Sequence, residues 1–150
     1  MAYAYKKLTQ DDVELFKELI RMFGEAFKEK ETYQNAIPSE KYLRSLLAKP
    51  TFIVLVAQDG DEVVGGLVAY VLEKFERQRR EIYIYDLAVD EKHRRKGIAT
   101  SLIAELKTLA RELGAYVIFV QADKQDTPAI ELYKSLGKME EVYHFDISVN

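Results

Sequence analysis

Apolar residues recur at two spacings along this chain, and the changes of spacing mark its elements. Val13, Phe16, Ile20, Phe23 and Phe27 lie three or four residues apart, the repeat of one helix face. Ahead of them Thr9, with Asp12 three residues on, resembles a capping box with Asp in the acidic role. Residues 29–36 are polar and predict a loop. Pro38-Ser39 opens a second helix that puts Tyr42, Leu43, Leu46 and Leu47 on one side. Runs of β-branched and apolar residues then predict strands over 52–57, 63–72 and 81–89, and a weaker alternation over 3–8 predicts an edge strand. Asp59-Gly60 is a hairpin turn, and Gly65-Gly66 predicts a bulge or a close backbone approach. Residues 76–80 are a charged connection, with Arg77, Arg79 and Arg80 expected at a solvated hairpin end.

The second half alternates helix and strand. An amphipathic run over 100–113 ends at Gly114, a short strand expected to be buried follows at 116–120, and a helix holds Tyr133. That helix has Asp126 or Thr127 as its cap, Pro128 in its first turn and Gly137 at its end. A final strand is expected over 142–149, with Tyr143, Phe145 and Ile147 on one face and His144 and Asp146 on the other. The order is β-α-α-β-β-β-α-β-α-β, with room for one more short strand near Lys138. Hairpin strands beside β-α-β units predict an α/β fold with one mixed sheet and helices on both faces. No linker or repeat divides it, so residues 1–150 are expected to form a single domain.

The junction between the strand at 81–89 and the next helix carries the most chemistry. It reads Arg94-Arg95-Lys96-Gly97-Ile98-Ala99-Thr100. A helix N-terminus offers unpaired N–H groups and the positive end of a macrodipole. Gly97 and the small Ala99 let an anion approach the backbone, and three cations stand beside it. The segment reads as a pyrophosphate cradle. It is not a Walker loop, and Gly97 alone does not make a dinucleotide fingerprint. Its spacing, Arg94-x-x-Gly97-x-Ala99, resembles the coenzyme A loop of the GNAT acetyltransferase superfamily. The stretch from Ala129 through Leu132-Tyr133 to Gly137 resembles that superfamily's A-x-x-L-Y-x-x-x-G helix, whose Tyr lies near the coenzyme sulfur. Two positions depart from the pattern: Asp126 stands where Asn is usual, and Lys138 follows Gly137 where an aromatic is common. A carboxylate cannot donate a hydrogen bond as an amide can.

Composition removes several alternatives. There is no cysteine, so disulfides, thiolate zinc sites and a cysteine nucleophile are excluded. The net charge of −3 argues against bulk nucleic-acid binding. The first residues lack a signal peptide's apolar core, and no apolar run reaches the ~18 residues of a membrane span. The expected compartment is the cytoplasm, with no membrane partner and no metal.

Longer stretches narrow the resemblance. Glu31-Thr32-Tyr33, Tyr83-Ile84-Tyr85-Asp86-Leu87-Ala88-Val89, Gln121-Ala122-Asp123 and His144-Phe145-Asp146-Ile147 are similar to the aminoglycoside 3-N-acetyltransferases of the GNAT type. The similarity runs from about Leu15 to Ile147. It implies the GNAT fold, a mostly antiparallel sheet splayed in the middle. It also implies acetyl-CoA as cosubstrate, held by Leu87, Ala88, Val89, Arg94, Arg95, Lys96, Gly97, Ile98, Ala99, Thr100, Asp126, Ala129 and Tyr133. The acceptor implied is a polycationic aminoglycoside, attacking the thioester directly through its 3-amino group. Its ligands would be Glu29, Glu31, Tyr33, Tyr85, Asp86, Asp123 and Asp146. The carbonyl would be polarised by backbone N–H groups at a bulge near residues 86–89, and a homodimer is expected.

Asp86 is the sharpest single residue. A carboxylate in an apolar strand is costly unless it is paired or faces a cavity. It is either a paired structural acid or a catalytic base that takes the ammonium proton, with Tyr133 as the acid for the thiolate. His93, just before the cradle, is expected to be exposed. Two other readings remain at this stage: the same chemistry on a polyamine, peptide or metabolite amine, and a non-catalytic coenzyme A-binding module.

Overall fold

The computed structural model describes residues 2–35 and 37–150. The elements are β1 (Ala4–Lys7), α1 (Val13–Ala26), α2 (Lys30–Gln34), α3 (Glu40–Leu47), β2 (Phe52–Asp59), β3 (Glu62–Glu73), β4 (Arg80–Val89), α4 (Ile98–Glu112), β5 (Ala115–Val120) and α5 (Thr127–Leu136), with a 3-10 turn at Glu91–His93. The five strands lie in the order β1-β2-β3-β4-β5. Neighbours are antiparallel except β4 and β5, which are parallel and joined through α4. No helix among the described residues is long and apolar enough to cross a membrane.

Each face of the sheet buries its own core. On one side Phe16, Leu19 and Phe23 of α1 and Leu43 and Leu47 of α3 pack on Phe52, Val54 and Val56. On the other, Ile98, Leu102 and Leu106 of α4 pack on Ile53, Leu55, Ile82 and Ile84. Alternate residues of β2 thus serve opposite cores, the period-two rule of a strand covered on both faces. The expected close approach falls at Gly66. A β-carbon there would overlap Leu19 Cδ1 and stand 2.7 Å from the Leu55 carbonyl oxygen. Gly66→Ala is expected to destabilise the fold by about 1–3 kcal/mol, read as a lower urea midpoint with an unchanged slope. The bulge lies beside it, because Ala57 pairs with Gly65 and Gln58 with Val63, leaving Val64 as the extra residue.

Several expectations are corrected. The expected 29–36 loop contains α2, a helix of five residues, which Tyr33 secures by packing on Phe23 and Phe27; Ala36 lies outside the described residues. Tyr42 is exposed, and Leu43 and Leu47 carry the packing of α3. Asp12 accepts from the Thr9 N–H at 2.8 Å and from its hydroxyl at 3.2 Å, but Thr9 Oγ1 accepts from the Asp11 N–H while the Asp12 N–H donates to the Thr9 carbonyl, so the box is not completed. Gly137 ends α5 in extended rather than left-handed backbone. His93 is half-buried, with its Nδ1 3.0 Å from the Tyr3 hydroxyl. The arginines of the β3–β4 hairpin are not all solvated. Arg79 lies 3.9 Å over the Tyr116 ring, and Arg80 donates to the Leu113 carbonyl.

The largest correction is at the end of the chain. Neither the strand expected at 142–149 nor one near Lys138 forms, and residues 138–150 hold no regular structure. β5, expected to be buried, is the last strand of the sheet and has no fully buried residue.

Candidate active site

Two irregularities of β4 shape the site. Val68 pairs with Asp86 but Ala69 pairs with Ile84, so Tyr85 is an extra residue that bulges the strand. The expected bulge is therefore present, one residue earlier than 86–89. On the opposite edge the ladder to β5 stops at Ile84–Val120, while β4 runs on to Val89. The two strands part there. Among the described residues, that edge of β4 has no strand partner beyond Ile84, and its backbone groups are free to pair with an extended ligand.

The cradle lies at the end of the same strand. Arg95 and Gly97 both hold left-handed backbone, with φ of 64° and 79°. Left-handed residues in such a turn gather successive N–H groups into an anion-binding concavity. Among the described residues, the N–H groups of Arg95 through Thr100 find no hydrogen-bond acceptor. A β-carbon on Gly97 would meet nothing within 4 Å, so the space before these donors is open. Arg94 does something different, donating from Nε to the Val89 carbonyl and pinning the strand end to the cradle.

Tyr133, from α5, packs into the α4-side core together with Leu87, Val89 and Leu132. Burial, and the Asp126 carboxylate after it, push its phenol up to about 12, so it stays protonated through the neutral range. Asp126 caps α5 by accepting from the Ala129 N–H at 3.2 Å. Its carboxylate and that N–H engage each other, which explains how an acid serves at this position.

Asp86 sits at the mouth of the gap. Tyr33 donates to its Oδ2 at 3.2 Å, so the bulge and α2 meet at this carboxylate. Burial raises its pKa to about 6; the Tyr33 hydrogen bond acts against that rise, and the Glu29 charge adds to it. Tyr33 is pushed far up, by burial first and then by Asp86. Around them runs an aromatic row. Tyr70 meets Tyr85 edge-on at 5.9 Å, Tyr85 meets Tyr83 at 5.8 Å, and Tyr83 stacks on Phe119 at 4.7 Å.

The profile of the Acetyltransferase (GNAT) family matches residues 13–138. The chain belongs to this family. The GNAT fold is what the sheet shows: five strands, mixed and mostly antiparallel, flanked by helices and not closed into a barrel. A solved aminoglycoside acetyltransferase from an uncultured soil metagenomic sample is 53% identical over the whole of both chains, with a TM-score of 0.98. A second, in complex with sisomicin, is 36% identical over 99% of this chain and 97% of its own, with a TM-score of 0.92. Among curated relatives, N-alpha-acetyltransferase 30 of Xenopus laevis is 33% identical over 57% of this chain and 31% of its own. N-acetyltransferase 8B of Rattus norvegicus is 29% identical over 55% of this chain and 37% of its own. The chain thus spans well under half the length of the curated relatives it matches.

GNAT enzymes use acetyl-CoA, and the residues here fit it. The open run of N–H donors suits the diphosphate, and the free edge of β4 suits the amide-bearing arm. Of the residues expected at the acceptor, Glu29, Tyr33, Tyr85 and Asp86 come together. Glu31 and Asp123 are exposed, and among the described residues neither forms a side-chain hydrogen bond or ion pair with that group. Asp146 lies in the exposed C-terminal segment, bonded to His144 at 2.9 Å. Sequence reasoning missed Tyr70, Tyr83, Phe119 and Gln121, whose Oε1 accepts from the Tyr83 hydroxyl. The available signal was a pair of aromatics on each of two consecutive strands, Tyr83 and Tyr85 two residues apart and Tyr116 and Phe119 three apart. Tyr33→Phe removes the one hydrogen bond that lowers the Asp86 pKa. The acidic limb of its rate–pH profile is expected to move to higher pH, and an unmoved limb would separate Asp86 from that ionisation.

Proposed function

We propose that the chain transfers the acetyl group of acetyl-CoA to an aminoglycoside, at the 3-amino group of the central ring. The observation that carries this reading is Asp86, a carboxylate raised to about 6 where β4 and β5 part. Above that pH it is ionised and able to take a proton from an ammonium group; below it the base is lost. Glu29 adds negative charge and the tyrosine row adds π faces, a combination suited to a cation with several amino groups.

The residues divide the work. Backbone N–H groups of residues 95–100, with Arg95 and Lys96 beside them, bind the diphosphate. Leu87, Ala88 and Val89 line the thioester and direct backbone donors to its carbonyl, an arrangement worth ~3–4 kcal/mol in comparable sites. Asp86 takes the proton of the attacking amine directly or through one water. Tyr133 donates a hydrogen bond to the departing sulfur. The acetyl thioester supplies the activated acyl group. The solved relatives named as aminoglycoside acetyltransferases support the acceptor class. The 3-amino position rests on the Tyr-Ile-Tyr-Asp-Leu-Ala-Val and Gln-Ala-Asp stretches.

The test is an acceptor screen. Gentamicin, sisomicin, spermidine and an N-terminal peptide are incubated with acetyl-CoA, free thiol is followed, and the product is mapped by NMR. Acetylation of gentamicin at the 3-amino group is expected. Acetylation at another amine removes the regiochemistry and keeps the acceptor class. Turnover of spermidine or peptide alone removes the acceptor class.

A further inference from the structure

Away from Asp86 and Tyr133, three metal-ligating side chains converge at the other end of the β3–β4 ladder. They are Glu62, at the start of β3, and Asp90 and His93, on the turn that follows β4. One ligand atom of each lies within 4.8 Å of those of the other two. The sheet brings them together. β3 and β4 are antiparallel, so the first residues of one lie beside the last of the other, and Gly65 pairs with Val89. The Asp90 N–H donates to the Val64 carbonyl at 2.8 Å, which pins the turn to β3 two residues after Glu62. The His93 N–H donates to the Asp90 carbonyl at 2.8 Å, which closes the turn with its two ligands three residues apart.

The imidazole is held in advance. Tyr3, just ahead of β1, puts its hydroxyl 3.0 Å from His93 Nδ1 and meets the ring edge-on at 5.8 Å. An imidazole oriented by an outer partner is a feature of built metal sites. The carboxylates have nothing to neutralise them. Among the described residues, neither Glu62 nor Asp90 forms an ion pair. Both line a cleft of about 250 Å³ against α1, where Glu18 and Glu25 bring two more acids and Arg21 a single cation.

We propose that Glu62, Asp90 and His93 bind a divalent transition-metal ion of the zinc class. One imidazole nitrogen with two carboxylates is a ligand set that zinc takes, whereas magnesium and calcium favour oxygen alone. Ligands of one tetrahedral zinc stand roughly 3.3 Å apart, so these three close by at most about 1.5 Å. Glu62 is exposed and its side chain has the freedom to make that move. Water from the cleft fills the fourth position. The bound ion clips the β2–β3 hairpin to the turn that leads into α4. The site lies outside the residues given a role in acetyl transfer, and it rests on no reading of the acceptor.

The test is calorimetric titration of the full, tag-free chain with zinc chloride, after treatment with a chelator. One ion per chain is expected. Glu62→Gln and His93→Gln are each expected to weaken binding by at least about 10-fold, with unchanged circular dichroism. The chain has one other histidine, His144, which lies 2.9 Å from Asp146 in the exposed C-terminal segment. His144→Gln is expected to bind zinc as the parent does. Should His93→Gln fail to fold, Glu62→Gln decides, because its exposed side chain packs against no core. Three results overturn the proposal: no zinc binding by the parent, parental affinity in a folded Glu62→Gln or His93→Gln protein, or loss of binding in His144→Gln, which gives the ion to the C-terminal pair. No acetyl-CoA or acceptor enters the measurement, so its failure and failure of the acetyl-transfer reading are told apart.

Discussion

Asp86→Asn is expected to lower kcat/KM for aminoglycosides by about 100-fold or more at neutral pH, while the KM for acetyl-CoA stays put. The substitution keeps the shape and the acceptor for the Tyr33 hydroxyl, and removes the charge and the basic site. Raising the pH is expected to restore part of the loss, since an amine already deprotonated needs no base. The same variant is expected to be more stable than the parent, and the sign follows from the pKa. Folding raises Asp86 from 3.8 to about 6, chiefly through burial. The native state therefore binds this proton more tightly than the unfolded chain, and ionisation works against the fold. The penalty is absent below pH 4, grows between 4 and 6, and is complete above. Thermal unfolding is thus expected to show a higher Tm for Asp86→Asn at pH 8 and the same Tm at pH 4. Full activity at pH 7 would transfer the base to another group, and equal Tm values at pH 8 would contradict the buried charge.

Gly97 carries the second large effect, and two substitutions separate its two roles. The residue sits at φ of 79°, which β-branched side chains resist and Asn tolerates. No protein atom stands within 4 Å of where its β-carbon would be. Gly97→Asn is therefore expected to fold nearly as the parent does. Its side chain, however, would occupy the space before the N–H donors of residues 95–100. A KM for acetyl-CoA raised by at least about 10-fold is expected, the loss of one to two charge-assisted hydrogen bonds. Gly97→Val adds backbone strain and should lose both affinity and stability. If the folded Gly97→Asn protein binds acetyl-CoA as tightly as the parent, the anion site lies elsewhere.

What could be read from the sequence was what neighbours in the chain decide. The turn before α4 was legible because strand, turn and helix are contiguous there, and Gly97 supplies the left-handed residue the turn needs. The Asp59-Gly60 hairpin and the Asp126 cap were legible for the same reason. α2 was not, because five residues are too few to offset the cost of nucleating a helix on their own, and Tyr33 packing on Phe23 and Phe27 holds them. The Tyr33–Asp86 bond spans 53 residues, and no local pattern announces it. The alternation over 142–149 was visible, but alternation says only which residues would share a face, and no strand forms there. The burial of β5 was misjudged because an apolar run does not say which strand ends the sheet. Tyr85 at the bulge was a matter of register, which depends on how two strands pair.

The aromatic row also gives the protein a spectroscopic character. The chain has ten tyrosines and no tryptophan, so its ultraviolet emission comes from phenols alone. Four of the ten, Tyr33, Tyr70, Tyr83 and Tyr85, gather near one carboxylate, Asp86, where β4 and β5 part. An excited phenol is a strong acid, and a hydrogen-bonded carboxylate quenches it by accepting its proton. A cation that draws the carboxylate away from Tyr33 would brighten that light. Acceptor binding can thus be titrated on the unmodified protein, without label, coupling enzyme or turnover.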